Sequence, residues 1–129
     1  MITLDASVLI AHLARDDRHS ADARNFLRQA AGDAFLVHPL TLAEVLVGGV
    51  RVGREQAMLA ELDAMGLHVA DGGADQPLRL ARLRVSTGLK LPDCCVLDTA
   101  LTARSRLCTF DTALAVAARR SGIPVVTSP

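Results

Sequence analysis

The feature that most constrains this chain is its alternation of short apolar, β-prone segments with longer segments of helical periodicity. The predicted strands cover residues 1–5, 34–38, 67–70, 106–110 and 123–127. The predicted helices cover residues 6–14, 19–31, 41–50, 54–65, 75–87, 93–104 and 111–120. Strands separated by helices favour an α/β fold with a mainly parallel, five-stranded sheet, and right-handed crossovers place helices on both of its faces.

Size and charge narrow the class of protein further. A length of 129 residues, without internal repeats or linkers, predicts a single domain covering residues 1–129. Lys plus Arg and Asp plus Glu both number 14, so the formal net charge is zero. This balance argues against a protein that coats nucleic acid by bulk charge, but it is compatible with a nuclease that uses a few Arg side chains and a metal.

The cysteines and the apolar segments bear on the location of the protein. Cys94, Cys95 and Cys108 are odd in number and lie in apolar segments, which favours buried free thiols in a reducing compartment over disulfides or a zinc site. We see no secretory leader, and no apolar run approaches the ~18 residues of a membrane span. We therefore expect a soluble, cytoplasmic protein.

Four acidic residues stand at positions where the predicted fold would bring them together. Asp5 and Asp111 come at the ends of predicted strands, Glu44 follows the second strand closely, and Asp93 opens a helix. Ligands of open parallel sheets bind beyond the carboxyl ends of the strands. Carboxylates suit Mg²⁺ and Mn²⁺, which polarise a phosphoryl oxygen and help to generate hydroxide from water. The pattern predicts a divalent-metal site for phosphodiester hydrolysis.

Each of these acids also has a purely structural interpretation. Asp5, Asp93 and Asp111 are well placed to be helix N-caps, and Glu44 could complete a capping box with Thr41. The setting favours the metal site, because carboxylates clustered at a partly solvated sheet edge repel one another unless a cation binds.

Four short segments resemble, in order, the acidic motifs of PIN-domain proteins. They are LDASVLI at residues 4–10, LAEVL at 42–46, LPD at 91–93 with Thr99-Ala100 following, and TFD at 109–111. Order, spacing and total length all match, and the resemblance covers essentially the whole chain. Within that family the chain is most similar to the VapC-type toxins of bacterial toxin–antitoxin pairs.

The resemblance implies properties that the residues alone do not show. It implies a three-layer α/β/α fold in which Asp5, Glu44, Asp93 and Asp111 bind Mg²⁺ or Mn²⁺ and catalyse RNA hydrolysis. It also implies a cognate antitoxin that silences the nuclease, and a homodimer. Ser7 matches a Ser/Thr position beside the metal, where a hydroxyl binds a ligand water; its structural alternative is an ordinary first-turn helix hydroxyl.

Asp98 departs from the family pattern, because many relatives have a small apolar residue there. It follows Asp93 by five residues, about 140° around a helix, so the two do not share a face. Asp98 is a candidate for an extra ligand or a hydrogen-bond partner of a ligand, and a solvated or capping Asp is the alternative. Arg15 and Arg18, in the loop after the first helix, are candidates for holding substrate phosphate, with a solvated surface role as the alternative.

Other functions and surfaces compete with this interpretation. An aspartyl-phosphate phosphatase using Asp5 would want a second acid where Ser7 stands, and a receiver domain would want a Lys after the last strands, whereas the one Lys is Lys90. A PIN fold that has lost activity and serves as a binding module is a further alternative, although all four acids are present. The helices at residues 41–65 carry excess apolar side chains, which serve either a partner or the core.

Overall fold

The computed structural model describes residues 1–14 and 16–126, so Arg15 and the end of the last predicted strand, Thr127, lie outside the described residues. The strands are β1 (Ile2–Leu4), β2 (Phe35–Val37), β3 (Leu67–Val69), β4 (Arg106–Cys108) and β5 (Val125–Val126). The helices are α1 (Ala6–Leu13), α2 (Ser20–Gln29), α3 (Pro39–Arg51), α4 (Glu55–Ala64), α5 (Gln76–Thr87), α6 (Leu91–Ala103) and α7 (Thr112–Arg120).

The five strands form one sheet in the order β3-β2-β1-β4-β5, and every neighbouring pair is parallel. The predicted α/β fold is confirmed. β1 occupies the centre, and its last residue, Leu4, pairs with Cys108, the last residue of β4. The two central strands therefore end at the same level, and the residues that follow them leave the sheet side by side.

Alternate residues of the central strands enter two separate apolar clusters. Ile2, Leu4 and Cys108 belong to one cluster, which also contains buried side chains of α1, α2, α3 and α4. Leu107 belongs to the other, which contains side chains of α6 and α7. Successive side chains of a strand point to opposite faces of the sheet, so helices pack on both faces, as a three-layer fold requires. Among the described residues, no helix is long and apolar enough to cross a membrane.

The start of α3 differs from the prediction. Thr41 was expected to cap this helix, but α3 begins at Pro39 and its N-cap is His38, whose Nδ1 accepts a hydrogen bond from the amide of Leu40 at 3.0 Å. Proline suits a first helical position because it has no amide hydrogen to satisfy. The capping-box interpretation of Glu44 with Thr41 is therefore wrong, and Glu44 lies in the second turn of the helix.

The start of α6 also differs. Residues 88–92 were expected to form a turn before a helix opened by Asp93, but α6 begins at Leu91 with Lys90 as its N-cap. Pro92 again occupies an early helical position, where it favours the helix. Asp93 therefore lies inside the first turn and is not an N-cap, so the capping interpretation is wrong at this position and correct at Asp5 and Asp111.

The apolar side chains of α3 and α4 are only partly used in the core. Val45 and Leu62 are buried, whereas Val50 is 61% exposed and Val52, the C-cap of α3, is 69% exposed. The interpretation that both helices lie wholly in the core is wrong. A surface of unpartnered apolar side chains is left on this side of the molecule.

Arg104, the C-cap of α6, provides a test of backbone strain, because it adopts left-handed φ and ψ values of 52° and 42°. This conformation is sterically unfavourable for non-glycine residues, and glycine relieves it at an entropic cost. With both effects included, Arg104→Gly is expected to raise the free energy of unfolding by about 0.5–1 kcal/mol. Gly88, at φ 73° with open space around its absent Cβ, is the reciprocal control. Gly88→Ala should lower that free energy by about 1 kcal/mol in urea denaturation, and equal effects of the two changes would contradict the strain argument.

Candidate active site

Asp5 accepts more hydrogen bonds than the side chain of any other of the four predicted acidic site residues. It is 7% exposed and follows β1 directly, as the N-cap of α1. Its Oδ1 accepts a hydrogen bond from the amide of Ala6 at 2.8 Å. Its Oδ2 accepts from the hydroxyls of Ser7, at 2.9 Å, and Thr109, at 2.7 Å. These three donors hold the carboxylate in one orientation.

Thr109 is a site residue to which the sequence analysis assigned no role. It is buried directly after β4, opposite Asp5, because β1 and β4 end in register. Its hydroxyl donates to Asp5 and accepts from the amide of Asp111 at 2.9 Å. The sequence did contain a signal for this role, because Thr109 lies close to the end of a predicted strand and two residues before a predicted metal ligand. Thr109 connects two of the predicted acids through one oxygen.

Ser7 performs a related role from the first turn of α1. Its hydroxyl donates to Asp5 and accepts from the amide of Phe110 at 3.1 Å. Both interactions link α1 to the segment that follows β4. The hydroxyl thus positions Asp5 and retains one lone pair for water.

Asp111 is exposed and is the N-cap of α7, where its Oδ1 accepts from the amide of Leu114 at 2.9 Å. Capping commits one oxygen, so the second is available to a ligand. Glu44, in contrast, is an exposed residue of α3, next to the buried stripe formed by Thr41, Val45 and Gly49. Helix α3 packs against α6, which carries Asp93.

Electrostatics show that the four acids share one region. Burial raises the pKa of Asp93, and the charges of Asp5, Asp111 and Glu44, in decreasing order, raise it further, while Lys90 opposes the shift. An acid that follows β1, one on α3 and one that caps α7 therefore act on the carboxyl group of Asp93, which α6 carries. As the side chains stand among the described residues, no three of the His, Cys, Asp or Glu groups are close enough to form a ready-made metal site.

The donor set nevertheless fits a hard divalent cation. All four groups are carboxylates, and their mutual repulsion, seen at Asp93, is the kind of electrostatic penalty that a bound cation relieves. Asp111 has a free oxygen, and exposed Glu44 has room to change rotamer. The site thus combines fixed and adjustable oxygen donors.

Asp98 lies in a different environment from the one expected. It is 2% exposed in the middle of α6, so the solvated and capping interpretations are wrong. Arg79 of α5 donates to both of its oxygens, from Nε at 2.9 Å and from Nη2 at 3.1 Å, and Gln76 donates to Oδ2 at 3.2 Å. This ion pair joins α5 to α6, and it satisfies Asp98 without a metal.

Comparison with known proteins gives the family. The family model described as PIN domain matches residues 2–127. The chain belongs to the PIN domain family. No curated protein sequence is similar enough to this PIN domain to count as a match.

Solved structures share the fold of this PIN domain over almost its whole length. A toxin–antitoxin complex from Klebsiella pneumoniae is 29% identical, with a TM-score of 0.77, and the match covers 100% of this chain and 98% of that chain. VapBC2 from Rickettsia felis, bound to promoter DNA, is 17% identical with a TM-score of 0.75 and full coverage of both chains. VapC20 from Mycobacterium tuberculosis, a toxin that cleaves the sarcin-ricin loop, is 17% identical with a TM-score of 0.74, covering 91% and 95%.

The raised pKa of Asp93 predicts a pH dependence of stability in the metal-free PIN domain. Between the ordinary value and the raised pKa, the folded protein holds a proton that the unfolded chain has released. The contribution of Asp93 to the free energy of unfolding must therefore fall as the pH rises through that window. Urea denaturation in EDTA, from about pH 4 to pH 7, should show that wild type loses stability relative to Asp93→Asn. A constant difference between the two proteins would contradict the prediction.

Proposed function

We propose that this protein is a metal-dependent endoribonuclease, the toxin of a type II toxin–antitoxin pair. Asp5, Glu44, Asp93 and Asp111 would hold Mg²⁺ or Mn²⁺ and so form the catalytic site. The observation that carries the proposal is the electrostatic coupling of Asp93 to the other three acids. Support also comes from the family match and from the similarity to toxin structures, one of them a toxin that cleaves the sarcin-ricin loop.

The residues of the chain divide the work of the reaction. A divalent ion, when bound, would supply Lewis-acid activation of the phosphoryl group and of the attacking water. Asp5 is held in a fixed orientation by Ser7 and Thr109, so it can act as a metal ligand that needs no rearrangement. Oδ2 of Asp5 accepts two hydrogen bonds and Oδ1 accepts one, so Oδ1 keeps a lone pair for a metal ion.

Direct assays test the proposed activity. The purified chain should cleave single-stranded RNA with Mn²⁺, lose the activity in EDTA, and regain it when Mn²⁺ is restored. Asp111→Asn retains an oxygen for the cap of Leu114 but removes the anionic ligand, so it should fold normally and bind Mn²⁺ weakly in calorimetry. Cleavage that persists in EDTA would refute the metal mechanism. Mn²⁺ binding without cleavage of RNA would support the alternative of an inactive binding module.

We further propose that an antitoxin binds the groove between α1, α3 and α4. The groove has a volume of about 510 Å³ and is lined by the apolar side chains of Ile10, Leu13, Val45, Val52 and Met58. Glu44 also lines it, so a partner in the groove would cover one of the proposed metal ligands. An amphipathic helix of the antitoxin is the occupant that suits such a surface. Similarity to a toxin–antitoxin complex supports an antitoxin as the kind of partner, and the groove is assigned from its apolar lining.

Affinity measurements with the proposed antitoxin would test the groove. Val52→Glu places a charge in the groove and should weaken the complex by at least about tenfold, since burying an unpaired charge is costly. Val85→Glu, on α5 and 87% exposed, is the matched control and should leave the affinity unchanged. Equal affinity of the two variants would exclude the groove as the docking site.

A homodimer and a cytoplasmic location complete the proposal. Light scattering of the isolated chain should give twice the 13.6 kDa of one chain. All three cysteines are free and buried, as suits a reducing compartment. Growth arrest upon expression inside bacterial cells, absent with Asp111→Asn, would support toxicity in that compartment.

A further inference from the structure

Two rings stack beside the candidate active site. His19, before α2, and Phe110, after β4, lie with their centroids 4.4 Å apart and their planes inclined by 13°. Phe110 directly precedes Asp111, and its amide donates to the hydroxyl of Ser7, which in turn donates to Asp5. The stack is therefore fixed to the backbone segment that carries Asp111, one of the proposed metal ligands.

The fold does not account for His19. It occupies the N-cap position of α2, yet its side chain makes no capping hydrogen bond. Phe110 packs against the apolar core cluster, and His19 is partly exposed. Arg18 donates from Nε to Nε2 of His19 at 3.2 Å, which places a guanidinium at the edge of the stack. An aromatic platform, an adjacent cation and the acidic site thus occur side by side.

We propose that His19 and Phe110 form a base-binding subsite for single-stranded RNA, with Arg18 holding an adjoining phosphate. The inference rests on the proposed ribonuclease function and specifies the substrate as an unpaired nucleotide in a loop or single strand. Unstacked RNA bases bind by stacking on aromatic side chains, including histidine, and Arg pairs well with phosphate. A base paired within a duplex does not offer its face, so the subsite selects against duplex RNA.

Binding in EDTA separates the subsite from catalysis. The probe is a short single-stranded oligoribonucleotide containing 2-aminopurine, whose fluorescence is quenched when the base stacks. Base–aromatic stacking predicts that His19→Ala weakens binding about tenfold and removes the quenching, while His19→Tyr retains both. Phe110→Leu keeps an apolar side chain against the core and should also lose the quenching. His68→Ala, at an exposed histidine of β3, is the control and should bind like wild type.

Cleavage in Mn²⁺ provides a second measurement. The two substrates are an intact oligoribonucleotide and one that has an abasic site beside the scissile bond. For wild type, the KM of the abasic substrate should be about tenfold higher than that of the intact one. For His19→Ala, the two KM values should be equal. If His19→Ala and Phe110→Leu bind and cleave like wild type, the inference is overturned and the ribonuclease proposal stands. If wild type quenches the probe but cleaves no RNA in Mn²⁺, the ribonuclease proposal fails and the base-binding subsite stands.

Discussion

Asp93→Asn is expected to lower the rate of RNA cleavage by on the order of 1,000-fold and to abolish Mn²⁺ binding, while the folded state is retained. A metal's charge stabilisation is worth several kcal/mol, and each 1.36 kcal/mol changes a rate tenfold. Asparagine at this position removes a negative charge that Asp5, Asp111 and Glu44 all oppose. At neutral pH the metal-free variant should therefore be at least as stable as wild type in urea.

The combination of lost activity and undiminished stability makes this variant decisive. Asp63→Asn, at an exposed aspartate of α4 away from the site, is the control and should leave cleavage, Mn²⁺ affinity and stability unchanged. A cleavage rate for Asp93→Asn within a few-fold of wild type would remove Asp93 from the metal site. A marked loss of stability in EDTA would show instead that its charge is used structurally.

Arg79→Leu is expected to lower Tm by roughly 10 °C without altering the active site. The change removes the donor to both oxygens of Asp98 and leaves a nearly fully buried carboxylate with Gln76 as its remaining partner. An unpaired charge in such a position is among the costliest defects in a protein. Thermal denaturation measures the effect.

The double variant Arg79→Leu/Asp98→Ala tests the cause of that loss. Removing the carboxylate as well eliminates the buried charge, so more than half of the lost Tm should be recovered. Additive losses from the two substitutions would show that packing, rather than the unpaired charge, determines the stability here. Cleavage by the double variant should match wild type, since neither residue belongs to the proposed metal site.

The sequence was sufficient for the architecture because the apolar segments have clear periods. Strands that are buried on both faces have continuous apolar sequences, so they could be recognised. Their alternation with helices predicts a parallel sheet, which the structure has. The positions of Asp5 and Asp111 followed from that architecture, since Asp5 directly follows β1 and Asp111 comes soon after β4. The metal-binding role of the four acids stays a prediction.

What the sequence could not give depends on long-range contacts. His38 caps α3 and Lys90 precedes α6, because prolines at the first and second helical positions extend both helices towards their N-termini. The environment of Asp98 depends on Arg79, nineteen residues away on another helix. Thr109 acts on Asp5 across two strands whose register only the folded sheet defines. No local pattern encodes these partners.

The four acids differ in which part of the fold carries them. Asp5 and Asp111 are anchored to the rigid centre of the sheet, whereas Glu44 and Asp93 are carried by helices that pack upon it. A cation shared by both kinds would act as a removable cross-link between layers. Thermal stability should then rise with the logarithm of the Mn²⁺ concentration, so that binding of the ion would both complete the proposed catalytic site and stabilise the folded state.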